Sequence, residues 1–243
     1  MVQPGHDRMN FLLMKIEILN DSDAVARKAA KVIASEASAA VAARGRFIMA
    51  VSGGRTPWQM LRALADEAVP WGQMHVVQVD ERVAPAGDPV RNLTHIRENL
   101  LEHAPLPPGQ LYAMPVEEED LEAAAASYAR LIQQIAGSPP VLDLAHLGLG
   151  PDGHTASLVP GDPVLDVTDG DVALTGVYQR RRRMTLTYPI LNRSRRVLWL
   201  VTGPEKAQML ARLQSKDGSI PAGRIRQDAA LVLADRSAAG NSM

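Results

Sequence analysis

The sequence predicts an α/β protein whose mainly parallel sheet carries helices on both faces. Short apolar runs rich in β-branched residues alternate with longer stretches of Ala, Leu, Glu and Arg, the pattern of strands alternating with crossover helices. The polar, glycine-containing clusters fall just after predicted strands, where open α/β sheets place their ligand sites. A chain of 243 residues, 46% hydrophobic, is long enough for one domain with a core on both sides of such a sheet.

In chain order, Ala24 to Ala43 reads as a helix from its alanines and lysines. Phe47 to Val51 reads as a buried strand, and Pro57 to Ala65 as the helix after it. Met74 to Val79 is a strand ending in Asp80-Glu81-Arg82, and Leu93 to Leu101 is helical. A proline-rich loop, Pro105 to Pro115, leads to a helix at Leu121 to Ile135. Leu142 to Leu147 is a central strand running into a glycine-rich loop. Strands at Val172 to Val177 and Val197 to Val201, a helix at Glu205 to Leu213 and a strand at Ala230 to Leu233 complete the reading. Residues 1–13 are expected to be a tail, 14–236 a single domain and 237–243 a second tail.

The formal net charge of −1 gives no global drive toward nucleic acid or anionic lipid, so anion binding must be local. A small charged ligand fits that better than a polymer. No cysteine is present, which removes disulfides, thiolate metal sites and cysteine nucleophiles and suits a reducing, cytoplasmic compartment. The apolar patch Phe11 to Met14 is too short for a signal peptide or membrane anchor.

Ser52-Gly53-Gly54-Arg55-Thr56-Pro57 links a strand to a helix, with Thr56 suited to the N-cap and Pro57 to the first helical position. Adjacent glycines let backbone approach an anion and a helix N-terminus adds favourable partial charge, so phosphate is the natural guest; the bland alternative is an ordinary tight turn. It is not a P-loop, because no Gly-Lys-Ser/Thr follows.

Asp80-Glu81-Arg82 offers two carboxylates and a guanidinium at a strand end, with alternation sending Asp80 and Arg82 to one side. By itself it reads equally as a solvated cluster. Asn92 is close enough in sequence to hold this loop by side-chain hydrogen bonds.

Gly148-Leu149-Gly150-Pro151-Asp152-Gly153 matches the dinucleotide fingerprint literally, but its Pro and Asp do not run smoothly into a helix. These glycines better serve a loop that presents Asp152 and His154. His154 is placed as a general base near neutral pH, whereas His6, His75, His95, His103 and His146 read as structural or solvated. No His-x-x-x-His or Glu-x-x-His spacing supports a metal.

Lys206 follows Val201-Thr202-Gly203-Pro204-Glu205 and can reach the same sheet edge as the Ser52 loop, or stand as a surface lysine in a first helical turn. The run Arg180 to Arg183 lacks interleaved aromatics, so it reads as a solvated loop with one arginine able to face the site, not as a nucleic-acid surface.

Four strings, VSGGRTPWQML (51–61), VDERVAP (79–85), LAHLGLGPDGHTASLVPG (144–161) and VTGPEKAQML (201–210), resemble the 6-phosphogluconolactonase family in order and spacing. The resemblance spans about residues 15–235, and the third string is the most specific. It implies the Rossmann-like sheet shared with glucosamine-6-phosphate deaminases and ribose-5-phosphate isomerases. It also implies metal-free, cofactor-free hydrolysis of 6-phosphoglucono-1,5-lactone, a phosphorylated sugar lactone of the pentose phosphate pathway. On the matching positions His154 is the expected base, with Asp80 and Asp152 beside the chemistry. Ser52, Gly53, Gly54, Thr56, Arg82 and Lys206 are expected around the substrate phosphate.

Arg91-Asn92 stands where the family tends to have Ser-Asn, and Val159 where a Phe commonly precedes Pro-Gly. Both departures bear on local packing and substrate fit. Glucosamine-6-phosphate deaminases typically carry an extra carboxylate after the Gly-His stretch, where this chain reads Thr155-Ala156-Ser157-Leu158-Val159-Pro160. A non-catalytic sugar-phosphate sensor is the other alternative, disfavoured by the absence of a helix-turn-helix segment and by the presence of His154 and Asp80. Ser-Gly-Gly at Ser52 is not a Gly-x-Ser-x-Gly elbow, which argues against a serine hydrolase. Monomer and dimer remain open.

Overall fold

A computed structural model describes residues 14–240; the expected tail 1–13 and residues 241–243 lie outside the described residues. Strands are β1 (Lys15–Leu19), β2 (Phe47–Val51), β3 (Met74–Gln78), β4 (Asp80–Arg82), β5 (Leu111–Tyr112), β6 (Leu144–Gly148), β7 (Val172–Leu174), β8 (Arg183–Leu186), β9 (Arg196–Val201) and β10 (Ala230–Asp235). Helices are α1 (Ser22–Arg44), α2 (Arg55–Leu64), α3 (Asn92–Ile96), α4 (Leu121–Ala136), α5 (Tyr188–Arg193), α6 (Ala207–Gln214) and α7 (Arg236–Ala239).

Seven strands form one sheet in the order β1-β10-β9-β6-β2-β3-β5, every neighbouring pair parallel. Side-chain alternation on β2 shows why it lies at the centre. Phe47, Met49 and Val51 pack with α1 and α2, while Ile48 and Ala50 pack with α4 and the opposite face. A strand buried on both faces must be apolar throughout, and β2 is.

Chain order runs outward in both directions from the β2–β6 pair, toward β3 and β5 on one side and toward β9 and β10 on the other, where the first strand, β1, adds at the edge. Loops leaving β2 and β6 therefore diverge, opening a crevice at the switch point. Those are the loops that carry Ser52 to Thr56 and Asp152 to His154.

Several sequence expectations change. The expected strand Val172 to Val177 shortens to β7 and joins no parallel pair; β4, β8 and β7 form a separate antiparallel sheet. The strand β8 begins at Arg183, the last arginine of the run read as a basic loop. The helix expected at Leu93 to Leu101 is α3 followed by a wider turn at Arg97–Leu101. At the C-terminus the chain continues past 236 as α7 with Ala238 fully buried, so the expected tail from 237 is in part packed structure. Asp235 caps α7 by accepting from the Ala238 N–H at 2.7 Å.

Candidate active site

A cleft of about 530 Å³ opens at the carboxyl edge of the sheet, a size suited to a small-molecule ligand. Its walls include Ser52, Gly53, Gly54, Thr56, Asp80, Arg82, His154 and Lys206, so the four sequence strings converge. Strand order sets their arrangement. Lys206 follows β9, His154 follows β6, the Ser52 loop follows β2, and Asp80 and Arg82 follow β3.

The Ser52 loop differs from expectation in its cap. Gly54, at φ 130°, is the N-cap of α2, no side chain caps the helix, and Thr56 lies inside it. The Thr56 hydroxyl instead pairs with that of Thr202 at 2.7 Å, tying the loop to the end of β9. Backbone N–H groups at an uncapped helix start are free to meet an anion. Ser52 has both polar groups engaged: its N–H donates to His146 Nδ1 at 3.2 Å and its hydroxyl to the His146 carbonyl at 2.9 Å. That geometry gives Ser52 a loop-holding role and disfavours it as a nucleophile.

His146 is fully buried, and burial pushes its imidazole down to about 3. Gly53 is required by close approach: a Cβ there would lie 1.9 Å from Asn92 Oδ1.

Asp80 is buried and held at both oxygens, accepting from Ser157 Oγ at 2.6 Å and from Asn92 Nδ2 at 3.2 Å. Asn92 also accepts from an Arg82 guanidinium N–H, so the loop is pinned by its side chain. Glu81 points away into the protein, accepting from the N–H groups of Asn92 and Leu93 at 2.8 Å each and ion-pairing with buried Arg91 at 3.2 Å. It anchors the start of α3, which explains how a carboxylate tolerates complete burial. Arg91 also lies within hydrogen-bond distance of the Ala84 carbonyl, at 3.0 Å.

His154 faces the cleft with Asp152 behind it. Asp152 Oδ1 lies 2.5 Å from His154 Nδ1 and accepts the His154 main-chain N–H at 3.1 Å, while Asp152 itself is not part of the cleft wall. Burial acts to raise the Asp152 carboxyl, but the His154 N–H and ring outweigh it and hold it below its ordinary range. An ionised partner fixes the proton on Nδ1 and leaves Nε2 as the acceptor. Gly150 makes room for the ring: a Cβ there would stand 2.1 Å from His154 Nδ1.

Three participants were not identified from the sequence. Ser157 orients Asp80, and the Tyr178 hydroxyl donates to Asp152 Oδ2 at 3.3 Å. Arg183 forms part of the cleft wall although only 5% exposed. The Arg run hinted at the last; nothing local marked the other two.

The switch-point cleft, its uncapped helix start and its carboxylate-oriented imidazole define an α/β protein with a site for a small polar ligand. The family described as glucosamine-6-phosphate isomerases/6-phosphogluconolactonase matches residues 20–233, and the chain belongs to that family. It is 38% identical over 238 residues to a 6-phosphogluconolactonase of Mycobacterium tuberculosis, covering 92% of this chain and 96% of that one. A 6-phosphogluconolactonase of Synechocystis is 35% identical, covering 82% and 84%. The crystal structure of 6-phosphogluconolactonase from Thermotoga maritima superposes with a TM-score of 0.81 at 30% identity, covering 91% and 98%. A monomeric glucosamine-6-phosphate deaminase shares the fold, with a TM-score of 0.80 at 19% identity over 93% of this chain and 99% of that one.

Proposed function

We propose that this chain hydrolyses 6-phosphoglucono-1,5-lactone to 6-phosphogluconate, the lactone-opening step of the oxidative pentose phosphate pathway. The observation that carries this reading is the His154–Asp152 pair facing a cleft whose other wall is the uncapped start of α2. The first supplies a base and the second an anion seat. Kinship with lactonases sets the substrate class.

The backbone N–H groups at Gly54 to Thr56 and the Lys206 ammonium hold the phosphate through charge-assisted hydrogen bonds, with Arg82 on the far wall. His154 Nε2 takes a proton from water as the water oxygen adds to the lactone carbonyl carbon. Collapse of the tetrahedral intermediate breaks the bond to the ring oxygen, and protonated His154 returns the proton to it. A positioned base of this kind contributes about 10²–10⁴-fold. Water is the only co-reactant in this scheme. The cysteine-free sequence supports a reducing, cytoplasmic setting.

The test adds purified protein to freshly prepared 6-phosphogluconolactone and, separately, to glucosamine 6-phosphate, following acid and ammonia release. Acid release above the uncatalysed background without ammonia is expected. Ammonia release, or no turnover of the lactone, overturns the reading.

A further inference from the structure

The sequence names no donor for the oxygen that becomes negative when the lactone carbonyl is attacked. The antiparallel pairing of β4 with β8 sets Arg183 directly opposite Arg82. Directly opposed residues of an antiparallel pair share a face, and like charges in that relationship repel. Arg183 is also withdrawn from water, at 5% exposure, and its Nε has no hydrogen-bond partner among the described residues.

What surrounds Arg183 does not resolve this. One Nη donates to Gln179 Oε1 at 3.1 Å, and the guanidinium lies 5.0 Å from the Tyr178 ring centre. The nearby carboxylate of Asp80 is already engaged by Ser157 and Asn92. Desolvation and the charge of Arg82 both disfavour the protonated guanidinium, only partly offset by Asp80 and Tyr178. A buried cation that lines a cleft wall and whose hydrogen-bonding capacity is not filled is a place for incoming negative charge.

Position says which charge. Tyr178, under Arg183, also donates to Asp152 and sets its ring 5.7 Å from that of His154. Lys206 stands at the end of β9, on the other side of the β6 loop that carries His154. A sugar with its phosphate near Lys206 and its carbonyl carbon at His154 turns the carbonyl oxygen toward the β4–β8 wall.

We propose that Arg183 is the electrophilic residue of this site: it donates to the lactone carbonyl oxygen as the carbon–oxygen π pair moves onto it, and afterwards to the product carboxylate. No bond to Arg183 forms or breaks; it stabilises charge that the neutral lactone lacks. The assignment rests on the substrate proposed above.

Arg183→Met and Arg183→Gln test it in the full-length chain, with folding checked by circular dichroism and melting temperature. Arg183→Met is expected to lower kcat by about 10²–10³-fold, the usual loss for one oxyanion donor, with a much smaller change in KM. Calorimetry then compares 6-phosphogluconate with glucose 6-phosphate, which carries the phosphate but no carboxylate. Wild type should prefer the former, and Arg183→Met should lose that preference while keeping its affinity for glucose 6-phosphate. Unchanged kcat, or equal loss of both ligands, overturns the proposal, the second outcome marking a phosphate anchor instead. Should the Met variant not fold, Arg183→Gln decides: it removes the charge and keeps a polar side chain, and wild-type kcat and ligand preference in it overturn the role. Failure of wild type to turn over lactone refutes the substrate reading alone, since the binding comparison needs no turnover.

Discussion

Asp152 grips His154 at two points, the ring Nδ1 at 2.5 Å and the main-chain N–H at 3.1 Å, through one carboxylate oxygen. The residue that presents the imidazole thereby also fixes its tautomer. His154→Ala should remain folded, because a loop ring facing the cleft lies outside the hydrophobic core, and should lose about 10²–10⁴-fold in kcat. Asp152→Asn should lose activity while keeping the loop, because an amide can present an N–H to Nδ1 and favour the wrong tautomer. The double variant should be little worse than His154→Ala alone, since groups acting as one unit are not additive. Turnover of the three proteins, corrected for spontaneous lactone hydrolysis, checks this; a folded His154→Ala retaining more than about a tenth of wild-type kcat rules out the base.

Gly150→Ala probes the same ring from beneath. Its φ is not in the left-handed region, so alanine suits the backbone, but the new methyl would stand 2.1 Å from Nδ1 and 2.3 Å from Cε1 of His154. The ring must move off Asp152. The expected result is a folded protein with activity near that of the His154 variant, read by circular dichroism and kcat together. Wild-type turnover would mean that the ring position is not critical.

How much of this was legible in the sequence depended on whether the signal was local. The Ser52 loop and the Asp152–His154 loop carry their glycines and functional groups within a few residues, and both lie at the switch point of the sheet. Arg183, Ser157 and Tyr178 reach the site only through pairing between distant segments: β4 with β8, and Ser157 with Asp80 across 77 positions. The strand Arg183–Leu186 begins in a run of arginines and is buried at every position, so neither alternation nor an apolar run marked it. The Thr56 cap was misplaced because the helix starts earlier, at Arg55 with Gly54 as N-cap, and the Thr56 hydroxyl pairs with distant Thr202.

Lys206 and the start of α2 face the same cleft from neighbouring loops. Lys206→Ala should raise KM for the phosphorylated lactone far more than it lowers kcat, and inorganic phosphate should compete with substrate in wild type. A hydrogen bond to a charged group contributes about 1.5–3 kcal/mol, so a loss of roughly ten- to a hundredfold in kcat/KM is expected. The unphosphorylated lactone is the control, on which both proteins should be similarly poor. Equal kcat/KM on the phosphorylated lactone would remove Lys206 from the phosphate site.

His146 places a pH dependence in stability, separate from catalysis. Its Nδ1 accepts the Ser52 N–H at 3.2 Å, so the proton sits on Nε2, which has no partner among the described residues in the fully buried site. Protonating Nδ1 would set two donors against each other without water, and burial lowers the folded-state pKa to about 3. An unfolded histidine titrates near about 6.5. Between these values the unfolded chain binds a proton that the folded chain refuses. The contribution of His146 to stability is therefore complete above pH about 6.5 and is lost progressively as pH falls toward about 3, by at most ~1.4 kcal/mol per pH unit. His146→Gln keeps an oxygen able to accept the Ser52 N–H but cannot titrate. Its melting temperature should fall less steeply than that of wild type between pH 6.5 and 4, whatever its value at pH 8. Carboxylates such as Asp152 titrate in both proteins and cancel in the difference. Parallel melting curves across that range would show that His146 is not the group that weakens the fold in mild acid.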